Sequence, residues 1–352
     1  MHAMNNEHIT YMNKAMDLAL KGLGSVSPNP LVGCVIVKDG VIVSEGYHQK
    51  FGGAHAEVNA ILNLPSNIDP KDCTLYVNLE PCCHHGKTPP CTDLIISRGF
   101  KKVVISNSDS NPIVSGTGIA KLKEAGIDVT AGVCEKEGRY LNRRFFTFHE
   151  KKRPYIILKW AQTADGFISK WPIPKNRSEN RISGDEAQKL VHQMRANEDA
   201  ILVGKNTVLN DDPFLTARLV EGKDPVRVII TATELTSNFN VFNPGAKVIV
   251  FNPVKNDVKA HINYIKINTE NALPQMLGSL CKMGISSVLV EGGSYTLSSF
   301  IKAGMWDEQH IFIDPTLHFG DGIKAPKIHL SVDFQHIGKD SYYHVLNPES
   351  SK

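Results

Sequence analysis

The segment PCCHHGKTPPC, residues 81–91, places three cysteines and two histidines within eleven positions. A second cluster, HAEVNA at residues 55–60, lies upstream and adds a histidine and a glutamate. Cysteine and histidine side chains are the ligands that zinc prefers, and one zinc ion takes three or four of them. The two segments therefore predict a metal site. They offer more donors than one ion needs, so the identity of the ligands stays open at this point.

The order of the motifs is typical of zinc-dependent base deamination. In that chemistry a His-x-Glu motif and a Pro-Cys…Cys motif begin two helices; three side chains hold zinc, and the glutamate transfers protons. His55-Ala56-Glu57 supplies the first motif, and Pro81-Cys82 with Cys91 supplies the second. Eight residues separate Cys82 from Cys91, whereas the short form of the motif is Cys-x-x-Cys.

This arrangement resembles the deaminase of riboflavin biosynthesis, in which HAE is followed by PCxHxGxTPPC. The resemblance implies that the zinc ligands are His55, Cys82 and Cys91 and that Glu57 is the catalytic acid and base. It leaves Cys83 at a variable position of the motif. It also implies contacts with a pyrimidine nucleotide substrate from Asn29 (in SPNPLVG), His48, His84 and Lys87.

A structural zinc site with four protein ligands is the alternative for the same segment. It would add His84 or Cys83 to the three implied ligands, and it would leave Glu57 with no task. The other four cysteines are expected to be buried apolar side chains: Cys34, Cys73, Cys134 and Cys281.

The chain has 352 residues, which favours two domains, and its composition is that of a soluble globular protein. Seven cysteines, several in one cluster, indicate a reducing compartment, so we expect a cytoplasmic protein. A net charge of +3 argues against a nucleic-acid partner, and no segment has the roughly 20 apolar residues of a membrane span. The basic, aromatic stretch at 139–154 is interpreted as a helix end and linker, with the domain boundary near 145–153.

Strand and helix patterns alternate on both sides of that boundary, which indicates an α/β fold. In the first half, Asp39-Gly40 predicts a hairpin within 31–48, and a helix is expected over 88–97. In the second half, a helix is expected over 184–197. Strands are expected at 73–80, 101–106, 153–162, 199–208, 225–232, 246–251, 286–293 and 308–314.

Four segments of the second half occur in the order found in the reductase of riboflavin biosynthesis: 159–169, 181–188, 200–218 and VLVEGG at 288–293. The chain is thus similar to the bifunctional deaminase-reductases over about residues 10–345. This implies a cytidine-deaminase-like three-layer domain over 1–150. It also implies a reductase domain over 151–352 whose fold is similar to dihydrofolate reductase.

The same resemblance implies NADPH as the second cofactor beside zinc. The substrate contacts of the reductase fall on Arg195, Leu215, Arg218 and Glu291. The NADP contacts fall on Ala161, Thr207, Asp211 and the run Gly293, Ser294, Tyr295, Thr296, Leu297, Ser298 and Ser299. Three features depart from the family pattern: Arg181 stands where an aromatic residue is frequent, Thr163-Ala164-Asp165-Gly166 replaces the common Ser-Leu-Asp-Gly, and segment 170–176 is longer than usual.

We therefore expect a bifunctional enzyme that deaminates 2,5-diamino-6-ribosylamino-4(3H)-pyrimidinone 5′-phosphate and then reduces its ribosyl group to ribityl. Its partner would be this small-molecule nucleotide, with homo-oligomer formation left open. One rival is a nucleic-acid deaminase acting on tRNA adenosine, which the near-neutral charge and the Cys-x8-Cys spacing oppose. A second rival is a zinc-stabilised interaction module, which would have no site for NADPH.

Overall fold

The computed structural model describes residues 2–84, 89–110, 116–174, 177–235, 238–327 and 333–350. The chain divides into two units, unit 1 (Met1–Lys152) and unit 2 (Arg153–Lys352). Within the described ranges, no helix is both long enough and apolar enough to cross a membrane.

Unit 1 is built on one five-stranded sheet. Its strands are β1 (Gly33–Lys38), β2 (Val41–Tyr47), β3 (Thr74–Leu79), β4 (Lys102–Asn107) and β5 (Asp128–Ala131), in the spatial order β2-β1-β3-β4-β5. Asp39 and Gly40 have φ values of 49° and 76°, as a two-residue hairpin turn requires, so the predicted hairpin is confirmed. Strands β3, β4 and β5 run parallel, which brings their carboxyl ends to one edge.

Helices cover both faces of this sheet. They are α1 (His2–Leu20), α2 (Ala56–Leu62), α3 (Cys91–Ser97), α4 (Thr117–Glu124), α5 (Glu135–Leu141) and α6 (Arg143–Lys151). Alternate strand residues separate the two cores: Ile36 packs against α2, α3 and α4, whereas Val35 packs against α1 and α5. The three-layer arrangement is confirmed. The helix expected over 88–97 begins only at Cys91, because Pro90 is its N-cap.

Unit 2 contains a ten-stranded sheet and a small two-stranded one. The large sheet has the order β11-β12-β10-β9-β8-β13-β6-β14-β17-β16, and its strands from β12 to β14 are parallel. The strand bounds are β6 (Tyr155–Thr163), β7 (Phe167–Ser169), β8 (Ala200–Gly204), β9 (Val226–Ile230), β10 (Val248–Asn252), β11 (Asp257–Lys259), β12 (Ile262–Lys266), β13 (Ser287–Val290), β14 (Glu308–Asp314), β15 (Ile323–Lys324), β16 (Gln335–Ile337) and β17 (Asp340–Leu346).

Four helices pack on the large sheet of unit 2: α7 (Asp185–Asn197), α8 (Lys205–Asp211), α9 (Ala272–Lys282) and α10 (Ser294–Lys302). Helices α9 and α10 bury their apolar sides against one face, and α7 and α8 cover the other. The strand expected over 199–208 is wrong in its second half. Strand β8 ends at Gly204, which is the N-cap of α8, so residues 205–208 are helical.

Candidate functional site

Three of the sequence-predicted metal ligands converge in unit 1. His55 is the residue before α2, Cys91 opens α3, and Cys82 follows the end of β3. The His55 Nδ1 atom lies 3.5 Å from the Cys82 sulfur and 3.3 Å from the Cys91 sulfur. Donor atoms of all three lie within 4.8 Å of one another. This donor set of two sulfurs and one nitrogen suits zinc with one open position.

The electrostatics of the three ligands favour a thiolate. Hydrogen bonding from the Cys91 thiol, helped by His55, lowers the pKa of Cys82 to about 4, and the same contact raises the pKa of Cys91. The backbone N–H of Cys91 also donates to the Cys82 sulfur over 3.4 Å. A thiolate is the form in which cysteine binds a metal, so the negative charge on Cys82 favours the binding of a cation.

Glu57 lies in the first turn of α2, two residues after His55, and its side chain is buried at 3% exposure. Burial raises the pKa of Glu57 to about 6, and the nearby Cys82 adds to the effect. A carboxyl group with such a pKa can both accept and return a proton near neutral pH. The structure thus places a carboxyl group that is able to transfer protons beside the three predicted metal ligands.

Asn29 and His48 form a second polar pair in this site. The His48 Nδ1–H donates to the Ala54 carbonyl over 3.0 Å, which leaves Nε2 to accept from the Asn29 side-chain amide over 3.1 Å. The ring of His48 lies 5.6 Å from that of His55, edge to face. These contacts fix the Asn29 amide near the predicted metal ligand His55 and leave the amide oxygen able to accept a hydrogen bond.

The remaining donors of segment 81–91 do not join the metal ligands among the residues that the structure describes. The Cys83 sulfur lies 2.9 Å from the Thr117 hydroxyl, and His84 is exposed. Lys87, the fourth predicted substrate contact, lies outside the described residues. The four-ligand structural site therefore has no support in the described part of the segment.

Glu80, which directly precedes the segment, is a residue that sequence reasoning missed. Its buried carboxylate accepts four backbone N–H groups at 2.9–3.1 Å, from Asp109, Gly116, Gly118 and Ile119. These bonds fasten the end of β3 to the chain before and inside α4, and so hold the backbone from which Cys82 projects. The only sequence signal is an acid at the end of a buried strand, which is a weak one.

In unit 2, a cavity of about 1150 Å³ opens at the carboxyl ends of the parallel strands. Strands β6, β8, β9 and β13 contribute Ala161, Gly204, Thr231 and Glu291 at or just beyond their ends. Ligands of open α/β sheets bind at this edge. Ten of its lining residues were predicted from the sequence: Ala161, Thr207, Asp211, Glu291, Gly293, Ser294, Tyr295, Thr296, Leu297 and Ser299.

The turn from β13 into α10 forms one wall of this cavity. A side chain at Gly292 would place its Cβ 2.4 Å from the Val203 Cα, so only glycine allows β13 to approach β8 here. Gly293 follows with φ 55° as the N-cap of α10. The first N–H groups of a helix attract anions, and α10 begins at the cavity with Ser294.

Arg195 and Glu291 form a buried ion pair beside the cavity. The Arg195 guanidinium donates to both carboxylate oxygens of Glu291, at 2.7 and 2.8 Å, and also to the Thr216 carbonyl at 3.1 Å. Burial alone would raise the pKa of Glu291, but Arg195 and Lys159 outweigh it and lower that pKa to about 2. Glu291 is therefore a carboxylate at every physiological pH.

Lys159, on β6, is the second residue that sequence reasoning missed. Its ammonium lies 3.6 Å from the Glu291 carboxylate, it lines the cavity, and burial lowers its pKa. Its neighbours in sequence are apolar strand residues, so nothing in the local pattern distinguishes it from a lysine at a sheet surface.

Four predicted contacts of the reductase do not line this cavity within the described ranges: Arg195, Leu215, Arg218 and Ser298. Leu215 has φ 54° and a buried side chain that packs in the core beside α8, so only its backbone can face a ligand. Arg218 is exposed, and its guanidinium lies 3.4 Å from the Thr216 hydroxyl. Arg181, which departs from the family pattern, lines the cavity and pairs with Asp185.

Family models match both units. Residues 5–107 match the cytidine and deoxycytidylate deaminase zinc-binding region, and residues 154–332 match the RibD C-terminal domain. The riboflavin biosynthesis protein RibD of Actinobacillus pleuropneumoniae is 42% identical over 342 residues, which cover 90% of this chain and 86% of that protein. The RibD protein of Aquifex aeolicus is 43% identical over 326 residues, with 89% and 88% covered.

Solved structures give the same result over the whole chain. A Thermotoga maritima structure is described as a diaminohydroxyphosphoribosylaminopyrimidine deaminase/5-amino-6-(5-phosphoribosylamino)uracil reductase. It is 40% identical with a TM-score of 0.88, and 98% of this chain and 99% of that one are covered. Acinetobacter baumannii RibD, in its first crystal form, is 32% identical with a TM-score of 0.86, with 97% and 99% covered. The predicted fold class of both units is confirmed.

Proposed function

The chain belongs to the RibD family of riboflavin biosynthesis proteins, and on that premise we propose which residues perform each of its two reactions. It is a bifunctional enzyme with a deaminase domain and a reductase domain. We assign the deaminase to residues 1–150 and the reductase to 151–352. A nucleic-acid deaminase with an appended binding domain is not favoured, because the second half matches a reductase domain.

The proposed substrate of unit 1 is 2,5-diamino-6-ribosylamino-4(3H)-pyrimidinone 5′-phosphate. His55, Cys82 and Cys91 would hold one zinc ion, which supplies a water of lowered pKa as the nucleophile. Glu57 takes the proton of the attacking water and passes it to the ring nitrogen. Glu57 then carries the remaining proton of the added hydroxyl to the departing amine, so that the new C–O bond becomes a carbonyl while the C–N bond breaks and ammonia leaves. The convergence of these four side chains is the observation that carries the proposal.

Asn29, His48, His84 and Lys87 would bind the nucleotide in unit 1. The hydrogen bond from Asn29 to His48 and the anchored His48 ring support the first two, because they fix an amide next to the metal ligands. For Lys87 the support is the motif alone, since a lysine is a natural partner of phosphate.

In unit 2, the proposed cofactor is NADPH, which supplies the hydride that reduces the ribosyl group to ribityl. Ala161, Thr207 and Asp211 line one side of the cavity, and residues 293–299 provide the start of α10 for the cofactor's phosphates. The cavity volume of about 1150 Å³ supports the proposal that a dinucleotide and a substrate bind there together.

The proposed substrate contacts of unit 2 divide into those with the sugar and those with the phosphate. Glu291, ionised by its ion pairs, can accept hydrogen bonds from sugar hydroxyls, and Lys159 beside it can donate to an oxygen of the same sugar. The guanidinium of Arg195 donates both of its parallel hydrogen bonds to Glu291, so the role of Arg195 is to position that carboxylate. Arg218 is exposed and can pair with the substrate phosphate, next to the Leu215 backbone.

Two variants separate the proposed sites. Glu57→Gln should keep zinc and lose ammonia release, while it still reduces the deaminated substrate with NADPH. Arg218→Ala should lower reduction at least about tenfold and leave ammonia release unchanged, since a lost phosphate contact is worth about 1.5–3 kcal/mol. Lys189→Ala, which removes an exposed cation from α7, is the control. Ammonia release by zinc-loaded Glu57→Gln at the parent rate would contradict the assignment, as would equal loss of both activities in Arg218→Ala.

A further inference from the structure

Three side chains that the two proposed sites do not use meet in unit 2, and we name them the His-Glu cluster: Glu308, His310 and His344. Glu308 and His310 are alternate residues of β14, and His344 lies directly opposite His310 on β17. Phe312, the next residue on the same side of β14, packs against α7, so the cluster lies on the face that α7 covers. None of the three lines the reductase cavity.

The donor atoms of the His-Glu cluster have the spacing of metal ligands. Oε1 of Glu308 lies 3.3 Å from His310 Nε2, and Oε2 of the same carboxylate lies 3.2 Å from His344 Nε2. All three donor atoms lie within 4.8 Å of one another. Ligands at 2.0–2.2 Å from a tetrahedral zinc ion are about 3.3 Å apart, and two histidines with one glutamate are a known zinc ligand set.

Neighbouring tyrosines hold two of these ligands in place. The Tyr342 hydroxyl lies 2.6 Å from His310 Nδ1, and the Tyr155 hydroxyl donates to the Glu308 carboxylate over 3.2 Å. When His310 Nδ1–H donates to Tyr342, its Nε2 carries the free lone pair. Hydrogen bonds of this kind, on the far side of the ligand, orient metal-binding histidines.

His310 Nε2 is the atom that needs a partner. It is buried, and among the described residues it has no hydrogen bond, although the Glu308 carboxylate is only 3.3 Å away. Buried polar atoms without a partner are rare, and an absent ion is one of their explanations.

We propose that Glu308, His310 and His344 form a second zinc site, separate from the cysteine site of unit 1. Each histidine contributes Nε2 and Glu308 contributes a carboxylate oxygen, which leaves one position for water. The two imidazoles are stacked 4.6 Å apart at 16°, so one ring must tilt to bring both lone pairs onto the ion. His344, with 31% of its side chain exposed, has the freedom to tilt. The ion would link β14 to β17 and stabilise that end of the sheet.

Zinc counting on the full-length chain tests the second site. The protein is stripped with a chelator, reloaded with zinc and freed of excess metal, and zinc per chain is measured by mass spectrometry. We expect two equivalents in the parent chain and in His336→Ala, a control at an exposed histidine of β16. We expect one equivalent in His344→Ala and in the isosteric Glu308→Gln.

The cysteine site is counted independently. Cys82→Ser combined with Cys91→Ser should remove one equivalent, and adding His344→Ala should remove the other. Zinc should also raise the unfolding temperature of the double-serine variant but not that of the triple variant. One equivalent in the parent chain, with none left in the double-serine variant, would overturn the proposal. Two equivalents in both His344→Ala and Glu308→Gln would overturn it as well.

Discussion

Replacing Arg195 with methionine should lower the free energy of unfolding of unit 2 by about 2–3 kcal/mol. The change keeps an apolar side chain but leaves the Glu291 carboxylate, 8% exposed, without its bidentate partner. Removing one partner of a buried ion pair costs about 3–5 kcal/mol. Lys159 remains 3.6 Å from Glu291 and offsets part of this cost, so the expected loss of unfolding free energy is at or below the lower end of that range.

The lowered pKa of Glu291 gives a second estimate of how much its ion pairs stabilise the folded state. A carboxyl group whose pKa falls from 4.5 to about 2 gains about 3 kcal/mol in its charged form, at 1.36 kcal/mol for each tenfold change. Because this pKa is lowered by folding, the stabilisation is fully present above pH 4.5 and is lost as the pH falls towards 2. The stability difference between parent and Arg195→Met should therefore shrink over that range.

Urea unfolding, followed separately for the two units, is the assay. Arg181→Met is the matched control, because Arg181 and Asp185 form an exposed ion pair with 47% and 87% of their side chains accessible. That pair should contribute less than about 0.5 kcal/mol. If Arg195→Met and Arg181→Met lowered stability by the same small amount, the reasoning on the buried pair would be refuted.

Three further changes test other parts of the two sites. Glu80→Gln should lower the stability of unit 1 by about 2–4 kcal/mol in urea unfolding, because buried N–H groups lose their acceptor; unchanged stability would contradict this. Gly292→Ala should lower the stability of unit 2 by about 1–3 kcal/mol, because the added Cβ meets the Val203 backbone. The same change should weaken NADPH binding in a fluorescence titration, and unchanged affinity would contradict the proposed cofactor site at the start of α10. Burial lowers the pKa of His192 to about 4, so unfolding takes up a proton and stability falls as the pH drops from 6.5 towards 4. His192→Gln should reduce this fall, and an identical pH dependence would speak against it.

The three side chains that converge in unit 1, and Glu57 beside them, could be named from the sequence because their types and spacing are local. His55-Ala56-Glu57 and Cys82 with Cys91 each occur in a short stretch, and a helix start follows His55 and Pro90. The pairing of Arg195 with Glu291 could not be derived from pattern, because 96 positions separate them and only the fold brings α7 to the end of β13. Lys159 could not be singled out either, because it lies in an apolar strand and its partner Glu291 is distant in sequence.

The errors in the predicted elements have physical causes as well. The apolar run of residues 200–203 forms β8 as expected, but Gly204 ends the strand, and the polar residues that follow it begin α8. The alternation of EQHIFID does place Glu308 and His310 on one side of β14. Their meeting with His344 depends on the pairing of β14 with β17, which no local pattern indicates.

One chain performs deamination and then reduction, at two separate sites. The direct measurement is to incubate the purified protein with the diaminopyrimidine nucleotide, first without and then with NADPH, and to follow ammonia and NADPH. We predict ammonia release without NADPH, and NADPH oxidation only after deamination has occurred. NADPH oxidation without prior ammonia release, or no ammonia release by the zinc-loaded protein, would contradict the account.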